Sequence, residues 1–418
     1  MNIKRKIQSI YTIKRIYGKK AVVKAIINKI SKRPLDYNLF FSSKDELGNK
    51  IFDNQQNEFT LEEIKNNIES MEYKPLISVI MPIYNAPLKW IDVAVKSLQL
   101  QVYPNWELCA VNDGSKEREG VEYLKEQQKK DHRIKIIDNK ENGGISVASN
   151  IALENANGEY IALMDQDDEI TKDAFYWYID LINKNRDADF IYSDECKIDG
   201  EKGKKLSYFI CKPDWSPEMM INQMYTGHMT MYRKTIVDKV GGFRSKYDFS
   251  QDYDLALRIS RITDKIYHLE RILYFWRSVP TSSAAGGKDF ARESNINALK
   301  DHFLQQGLKA DMKMFPYANY GYIDLKNKSL VSIIIPSDSC DNMERTVNGI
   351  LNNTSYSDFE IILVTNSDAI IEMKKRVVSE KVKYCVFDKK YNFSEKCNDG
   401  VKNANGNIVV FYNDDVNP

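Results

Sequence analysis

Two stretches of this sequence restate each other, and the repetition constrains the fold more than any single motif. LVSIIIPSDS from Leu330 restates LISVIMPIYN from Leu76, and YSDFEIILVTNSD from Tyr356 restates YPNWELCAVNDGS from Tyr103. ANGNIVVFYNDD from Ala404 restates ANGEYIALMDQDD from Ala156. Order and approximate spacing are kept, so the same half-domain is expected twice. Each restated piece is a short apolar run closed by turn residues, the pattern of a buried strand. In the first copy these runs alternate with helical patterns at Pro87 to Gln101 and Ile145 to Asn155, with further strands at Trp106 to Val111, Arg133 to Asp138 and Tyr160 to Met164. Alternation of this kind predicts an α/β fold, a mostly parallel sheet with helices on both faces.

The domain reading follows from the repeat: a basic segment at 1–35, a helical connector at 36–75, a full domain at 76–311, a linker at 312–329 and an incomplete second copy at 330–418. At 418 residues the chain is too long for one ordinary core. Its 43% hydrophobic and 28% charged residues are those of a globular protein, not a disordered one. No apolar run approaches the ~18 residues that span a bilayer, and no signal-peptide pattern opens the chain. The six cysteines lack C-x-x-C spacing, which points to a reducing compartment rather than a disulfide framework or a zinc site.

The formal charge of +1 hides an asymmetry. Residues 1–35 carry eleven Lys or Arg and no acid, so the rest of the chain is net acidic. Within that segment Ile3, Ile7, Ile10, Tyr17 and Ala21 recur at helical spacing among the basic residues. This reads either as an amphipathic helix for an anionic membrane surface or as a packed helix with a solvated basic face. Nucleic acid fits less well, because the rest of the chain is acidic.

The chemistry concentrates at Tyr160 to Ile170, YIALMDQDDEI, where Asp165, Asp167 and Asp168 leave the end of one strand together. Like charges that close repel each other, and hard oxygen donors at this spacing suit Mg2+ or Mn2+. In open α/β sheets the ligand crevice lies outside the carboxyl ends of the strands. A lone D-x-D can equally be a solvated loop. Asp113 ends another strand and Asp252 opens a helix, so these carboxylates can face one crevice. Asp252, followed by Tyr253 and Asp254, could also be an ordinary helix N-terminus. Neither G-x-G-x-x-G nor G-x-x-x-x-G-K-[ST] occurs, which removes the usual dinucleotide and P-loop sites. Four scattered histidines support no Ser-His-Asp or Cys-His arrangement.

The ordered set PIYN, NDGS, NGGISVASN, ANGEYIALMDQDD, YSDE, KPDWSP, GGFR, SQDYDLALR and YFWR resembles the inverting family 2 glycosyltransferases of the GT-A fold. It is most similar to the bacterial subgroup that builds O-antigens and rhamnose-rich wall polysaccharides. The resemblance covers Leu76 to about Gln306. It implies transfer of a sugar from a nucleoside-diphosphate sugar to a lipid-linked or growing glycan, with a divalent Mn2+ or Mg2+ cofactor. On that resemblance Asp252 is the catalytic base, and Asp165 and Asp167 are the metal ligands. Pro82, Tyr84, Asn85, Asp113, Asn142, Gly143, Asp165 and Gln166 hold the nucleotide sugar. Lys212, Trp215, Gln251 and Arg277 become acceptor or phosphate contacts, although Trp215 taken alone reads as core.

Two departures stand out. Phe275 occupies the place where relatives carry a His before the Trp-Arg of YFWR, which removes an expected third metal ligand and makes His228 a substitute to test. In the second copy Thr365 is read at the place of the nucleotide-binding Asp, and the half that carries the base is missing. The rival readings are a non-catalytic glycan- or nucleotide-binding scaffold and a metal-dependent nucleotidyltransferase. The expected location is cytoplasmic, at the inner face of the membrane.

Deleting residues 1–33 is expected to release the protein from anionic liposomes and slow transfer to a lipid-linked acceptor while donor binding holds, since each Lys or Arg near such a surface contributes about 1 kcal/mol. Undiminished liposome binding by the truncated protein would reduce the segment to a packed helix.

Overall fold

Parallel pairing carries the first half of the fold. In the computed structural model β1 (Ile77–Ile83) lies between β2 (Trp106–Asp113) and β4 (Tyr160–Leu163), parallel to both, and β3 (Ile134–Asn139) adds to the far side of β2. β1 and β2 are buried along almost their whole length, which is why they read as continuous apolar runs rather than alternating ones. Alternate residues still go to opposite faces. Ile77, Val79 and Met81 join Leu108 and Ala110 in one core, while Ile80 joins Cys109 and Val111 over Ala148 and Ala152 of helix Ile145–Glu154 in the other.

The structure describes residues 42–199, 206–278, 289–314, 318–324 and 328–416, so the basic segment 1–35 lies outside the described residues. Beyond β4 the sheet continues with mixed sense through β5 (Glu169–Ile170), β6 (Phe190–Asp199), β7 (Leu206–Ile210), β8 (Thr230–Arg233) and β9 (Ile266–Ser278). The strand order is β3-β2-β1-β4-β8-β6-β9-β5, with β7 paired to β6. β8 runs antiparallel to β4 and β6, whereas β9 runs parallel to β6.

The chain divides into two units, the first running to Ile323 and the second beginning at Asp324. The stretch expected as a linker is therefore mostly structure. β10 (Lys309–Met314) and β11 (Asn319–Asp324) form a two-stranded ribbon, and Met312 and Ile323 pack into the second core of the first unit. The expected connector also belongs to that unit. Thr60 and Glu63 cap helix Leu61–Ser70 reciprocally, and Ile64 and Ile68 from that helix enter the first core. Helix Ser42–Gln56 brings Phe52 against Phe275, ring centroids 5.6 Å apart.

The second unit repeats the first half of the first. β12 (Val331–Pro336), β13 (Phe359–Thr365), β14 (Val382–Val386) and β15 (Ile408–Phe411) are all parallel in the order β14-β13-β12-β15, matching β3-β2-β1-β4. Ile77 pairs with Trp106 and Val331 with Phe359, so the registers superpose residue for residue. This corrects one sequence assignment. Thr365 is the equivalent of Asn112, and it is Asn366 that stands at the place of Asp113. Asn366 caps helix Ser367–Arg376 by accepting from Ala369 N at 2.9 Å.

One polar knot recurs in both units and ties three strands at their starts. The Glu107 carboxylate accepts from Ser78 Oγ, Asn157 N and Lys135 Nζ, each at 2.6 Å, and Ser78 Oγ accepts from Gly158 N at 2.8 Å. Glu360 does the same with Ser332, Asn405 and Lys383, and Ser332 with Gly406. The two glycines are required: a Cβ on Gly158 or Gly406 would lie 2.6 or 2.5 Å from its nearest neighbour, the Ser78 N or Leu330 O of the adjoining strand. Burial opposes the charge of Glu107, but Lys135, Ser78 and Asn157 outweigh it and hold the carboxyl below its usual range. For Glu360 the corresponding balance brings the value down to about 2.

Stability from these depressed carboxyls is present above the ordinary carboxylate range and is lost as the pH falls through it. Glu107→Ala leaves a buried hydroxyl and a buried amide without their acceptor and is expected to cost about 2 to 4 kcal/mol, read as a lowered unfolding midpoint at neutral pH. The cost should shrink in acid; a pH-independent loss would contradict the ionised knot.

Candidate active site

A crevice of about 1200 Å³ opens at the carboxyl ends of β1, β2 and β4. Its lining takes in Pro82, Tyr84, Asn85, Asp113, Asn142, Asp165, Gln166, Asp167, Gln251 and Asp252. Segments more than 150 residues apart in sequence thus meet on one wall.

The nucleotide side is built by short loops that bond to one another. Asp113 accepts from Asn139 Nδ2 at 2.8 Å, Gly143 N at 2.9 Å and Gly144 N at 2.9 Å, so its carboxylate closes the Asn142-Gly143-Gly144 turn. Gly144 has φ +89, a conformation that favours glycine, and a Cβ there would meet Asp248 Oδ2 at 2.5 Å. Gly143 contributes its amide to Asp113 and is not part of the crevice lining. Gln166 spans the two strand-end loops, accepting from Tyr84 N at 2.8 Å and donating to Tyr84 O at 3.3 Å. Asn85 Oδ1 accepts from Lys116 N at 2.8 Å.

The acidic loop is anchored from below by β9. Tyr274 Oη donates to Asp168 Oδ2 at 2.6 Å, Arg277 N donates to Asp168 Oδ1 at 2.7 Å, and Arg277 Nε donates to Asp167 O at 2.6 Å. The Arg277 guanidinium also pairs with Glu169. Asp168 is thereby turned inward, while Asp165 and Asp167 border the crevice. Burial and the neighbouring Asp165 carboxylate push Asp167 up to about 6, and push Asp168 well above its usual range. Acids so crowded and shifted fit a divalent cation as the missing counter-charge, which is the chemistry expected of this loop.

Asp252, also on the crevice, opens helix Gln251–Ile259 and accepts from Tyr253 N at 2.8 Å. Burial raises its pKa, against the lowering influence of His228. Gln251 Oε1 is buried without a hydrogen-bond partner among the described residues.

Three expected contacts are placed differently. Lys212 borders the crevice, but its ammonium donates to Thr226 O and His228 O at 2.6 Å each and to Glu195 at 3.2 Å, so all three protons are used inside the protein. Trp215 packs with Phe190 and Tyr225 in the second core, 5.8 and 6.2 Å between centroids. Arg277 is buried beneath the acidic loop and also stacks on Trp90 at 4.4 Å. These residues position the walls of the crevice and are not among its free donors. In turn the crevice admits residues that sequence reasoning had not assigned: Trp90, Glu195, Asp248 and Trp276. Glu195 and Trp276 carried a signal, as members of the YSDE and YFWR segments.

The sequence profile described as Glycosyl transferase family 2 matches residues 78–241 and 332–418. The chain belongs to this family. An uncharacterized protein, y4gI, of Sinorhizobium fredii is 33% identical over 362 residues, covering 84% of this chain and 40% of its own length. The O-antigen biosynthesis protein RfbC of Myxococcus xanthus is 27% identical over 356 residues, covering 84% of this chain and 28% of its own. The chain therefore spans less than half the length of these relatives. Among solved structures, S. aureus TarS 1-349 in complex with UDP-GlcNAc aligns over 55% of this chain and 66% of that one, with 20% identity and a TM-score of 0.46. The fold is the α/β architecture of family 2, a mostly parallel sheet of the GT-A kind with helices on both faces. No described helix is long and apolar enough to cross a membrane.

Arg277→Ala separates a structural role from substrate contact. Removing the guanidinium from a buried pair with Glu169 is expected to cost about 3 to 5 kcal/mol and to lower the unfolding midpoint of the ligand-free protein. A variant with unchanged stability and weakened nucleotide binding would return Arg277 to the ligand contacts.

Proposed function

We propose that the first unit is a metal-assisted, inverting glycosyltransferase that takes its sugar from a nucleoside diphosphate and extends a cell-surface polysaccharide. The observation that carries the reading is the meeting of Asp113, Asp165, Asp167 and Asp252 on one crevice, from three separate places in a chain of family 2.

The proposed roles rest on the family 2 resemblance and on where these residues lie along the crevice. Asp113 and the turn it closes form the nucleotide end, with Pro82, Tyr84 and Asn85 on the adjoining strand end. Asp167 and Asp165 would hold the divalent ion, which when bound offsets charge on the leaving diphosphate. Asp252 removes the proton of the acceptor hydroxyl as its oxygen attacks the anomeric carbon and the carbon–diphosphate bond breaks, so configuration inverts in one displacement. The raised pKa of Asp252 makes its carboxylate a stronger base than an exposed aspartate.

The second unit retains the strand framework, but Asn366 in place of an Asp113 equivalent and the buried Lys396, paired with Asp338, give its strand ends a different polarity. The donor reading is confined to the first unit. The O-antigen relative supports a bacterial surface polysaccharide as product class, and the acceptor is proposed to be lipid-linked or a growing glycan.

Asp252→Asn keeps shape and hydrogen bonding and cannot take a proton. Donor binding is expected to stay near normal in a screen of nucleotide sugars with Mn2+, while transfer falls by roughly 100-fold or more. In the parent protein the acidic limb of the rate profile should lie above the ordinary carboxylate range, because Asp252 works only when ionised and its pKa is raised. Turnover that barely changes in the Asn variant would assign the base elsewhere, and full activity in EDTA would remove the metal.

A further inference from the structure

The chain has four histidines, and His228 alone borders the crevice among the described residues. His268 Nε2 lies 2.8 Å from Asp194 with its ring stacked on Tyr192, and His302 Nε2 bonds Gln306. Those two are engaged elsewhere.

His228 Nε2 stands 3.9 Å from Asp165 Oδ2. One ligand atom each of Asp165, Asp168 and His228 lies within 4.8 Å of the others. The separation is too long for a hydrogen bond, yet it fits donors sharing one ion, since atoms bound at ~2.1 Å sit about 3 to 4 Å apart around it. Asp168 already accepts from Tyr274 Oη and Arg277 N. By contrast, neither the Asp165 carboxylate nor the His228 ring makes a hydrogen bond within the described residues. The ring is held in place by stacking on Tyr274, 5.0 Å and 22° between planes, and by an edge contact with Trp276 at 5.8 Å. Its backbone is pinned too, with the amide donating to Glu195 at 2.8 Å and the carbonyl accepting from Lys212 at 2.6 Å. The buried Lys212 and Glu195 pair thus serves to present this imidazole.

We infer that His228 supplies a nitrogen ligand to the divalent ion at Asp165, and that this imidazole makes the site prefer Mn2+ over Mg2+. The inference rests on reading the acidic loop as the metal site of the proposed transferase. Mg2+ keeps its water and takes oxygen donors, whereas transition ions accept imidazole readily. A carboxylate-only loop would give no such preference.

The test uses the full chain titrated with Mn2+, alone and with UDP, followed by electron spin resonance. The bound ion should show nitrogen modulation from a coordinated imidazole, a readout that needs no variant. His228→Gln should lose that modulation and weaken Mn2+ binding by about 10-fold or more, while Mg2+ binding, measured by competition, changes less. Circular dichroism of the Gln variant confirms that it is folded. Bound Mn2+ without nitrogen modulation, or equal losses for both ions, overturns the ligand assignment and leaves the metal site standing. A parent protein that binds no Mn2+ under either condition overturns both readings.

Discussion

The hydrogen bonds that Asp168 accepts from β9 hold the crevice in its working shape. Without them three adjacent carboxylates would spread toward water to relieve their repulsion. Tyr274 Oη and Arg277 N fix Asp168 inward, and the Arg277 side chain adds Glu169 and the Asp167 carbonyl. The loop that follows β4 is thus stapled to a strand more than a hundred residues later, and Asp165 and Asp167 are left at the crevice. Burial first, and the Asp165 carboxylate second, push Asp167 up to about 6. On the proposed reading, a cation bound at this loop would relieve the repulsion among its carboxylates.

A second buried polar arrangement sits at the other ends of the same strands. The Glu107 knot joins β1, β2 and the turn before β4 through Ser78, Asn157 and Lys135, and Glu360 repeats it in the second unit. Its role is register: a slip by one residue would exchange every side chain between the two faces of a sheet covered on both sides. Retention of the knot in both units, beside the change from Asp113 to Asn366, separates two constraints. The framework residues serve strand pairing in either unit, whereas the strand-end residues differ between the two.

Phe275 and His228 are held by different parts of the first unit. Phe275 packs on Phe52 within a small apolar cluster that includes Ile51, Cys196 and Ile272, so that position serves the docking of helix Ser42–Gln56. His228 comes instead from the turn before β8, and its neighbours Lys212 and Glu195 come from β7's end and β6. Three elements that follow the acidic strand therefore cooperate to place one ring.

Much of this was legible in the residues. Buried parallel strands leave long apolar runs, so β1, β2, β4 and their repeats could be read directly, and turn residues marked where each ended. Asp113, Asp165, Asp167 and Asp252 could be picked out as carboxylates at strand ends and a helix start, and the structure brings them to one crevice. What the sequence could not decide was which polar side chains would be consumed internally. Lys212 and Arg277 look like ligand contacts by type, but their donors go to Glu195, Glu169 and backbone carbonyls, and Trp215 goes to core. Nor could it place the unit boundary at 323/324, since the ribbon of β10 and β11 is too short and polar to stand out. Local pattern fixes which residues share a face. Only tertiary packing decides which polar groups are left without a partner, because hydrogen-bond partners here lie 14 to 110 residues apart in the chain.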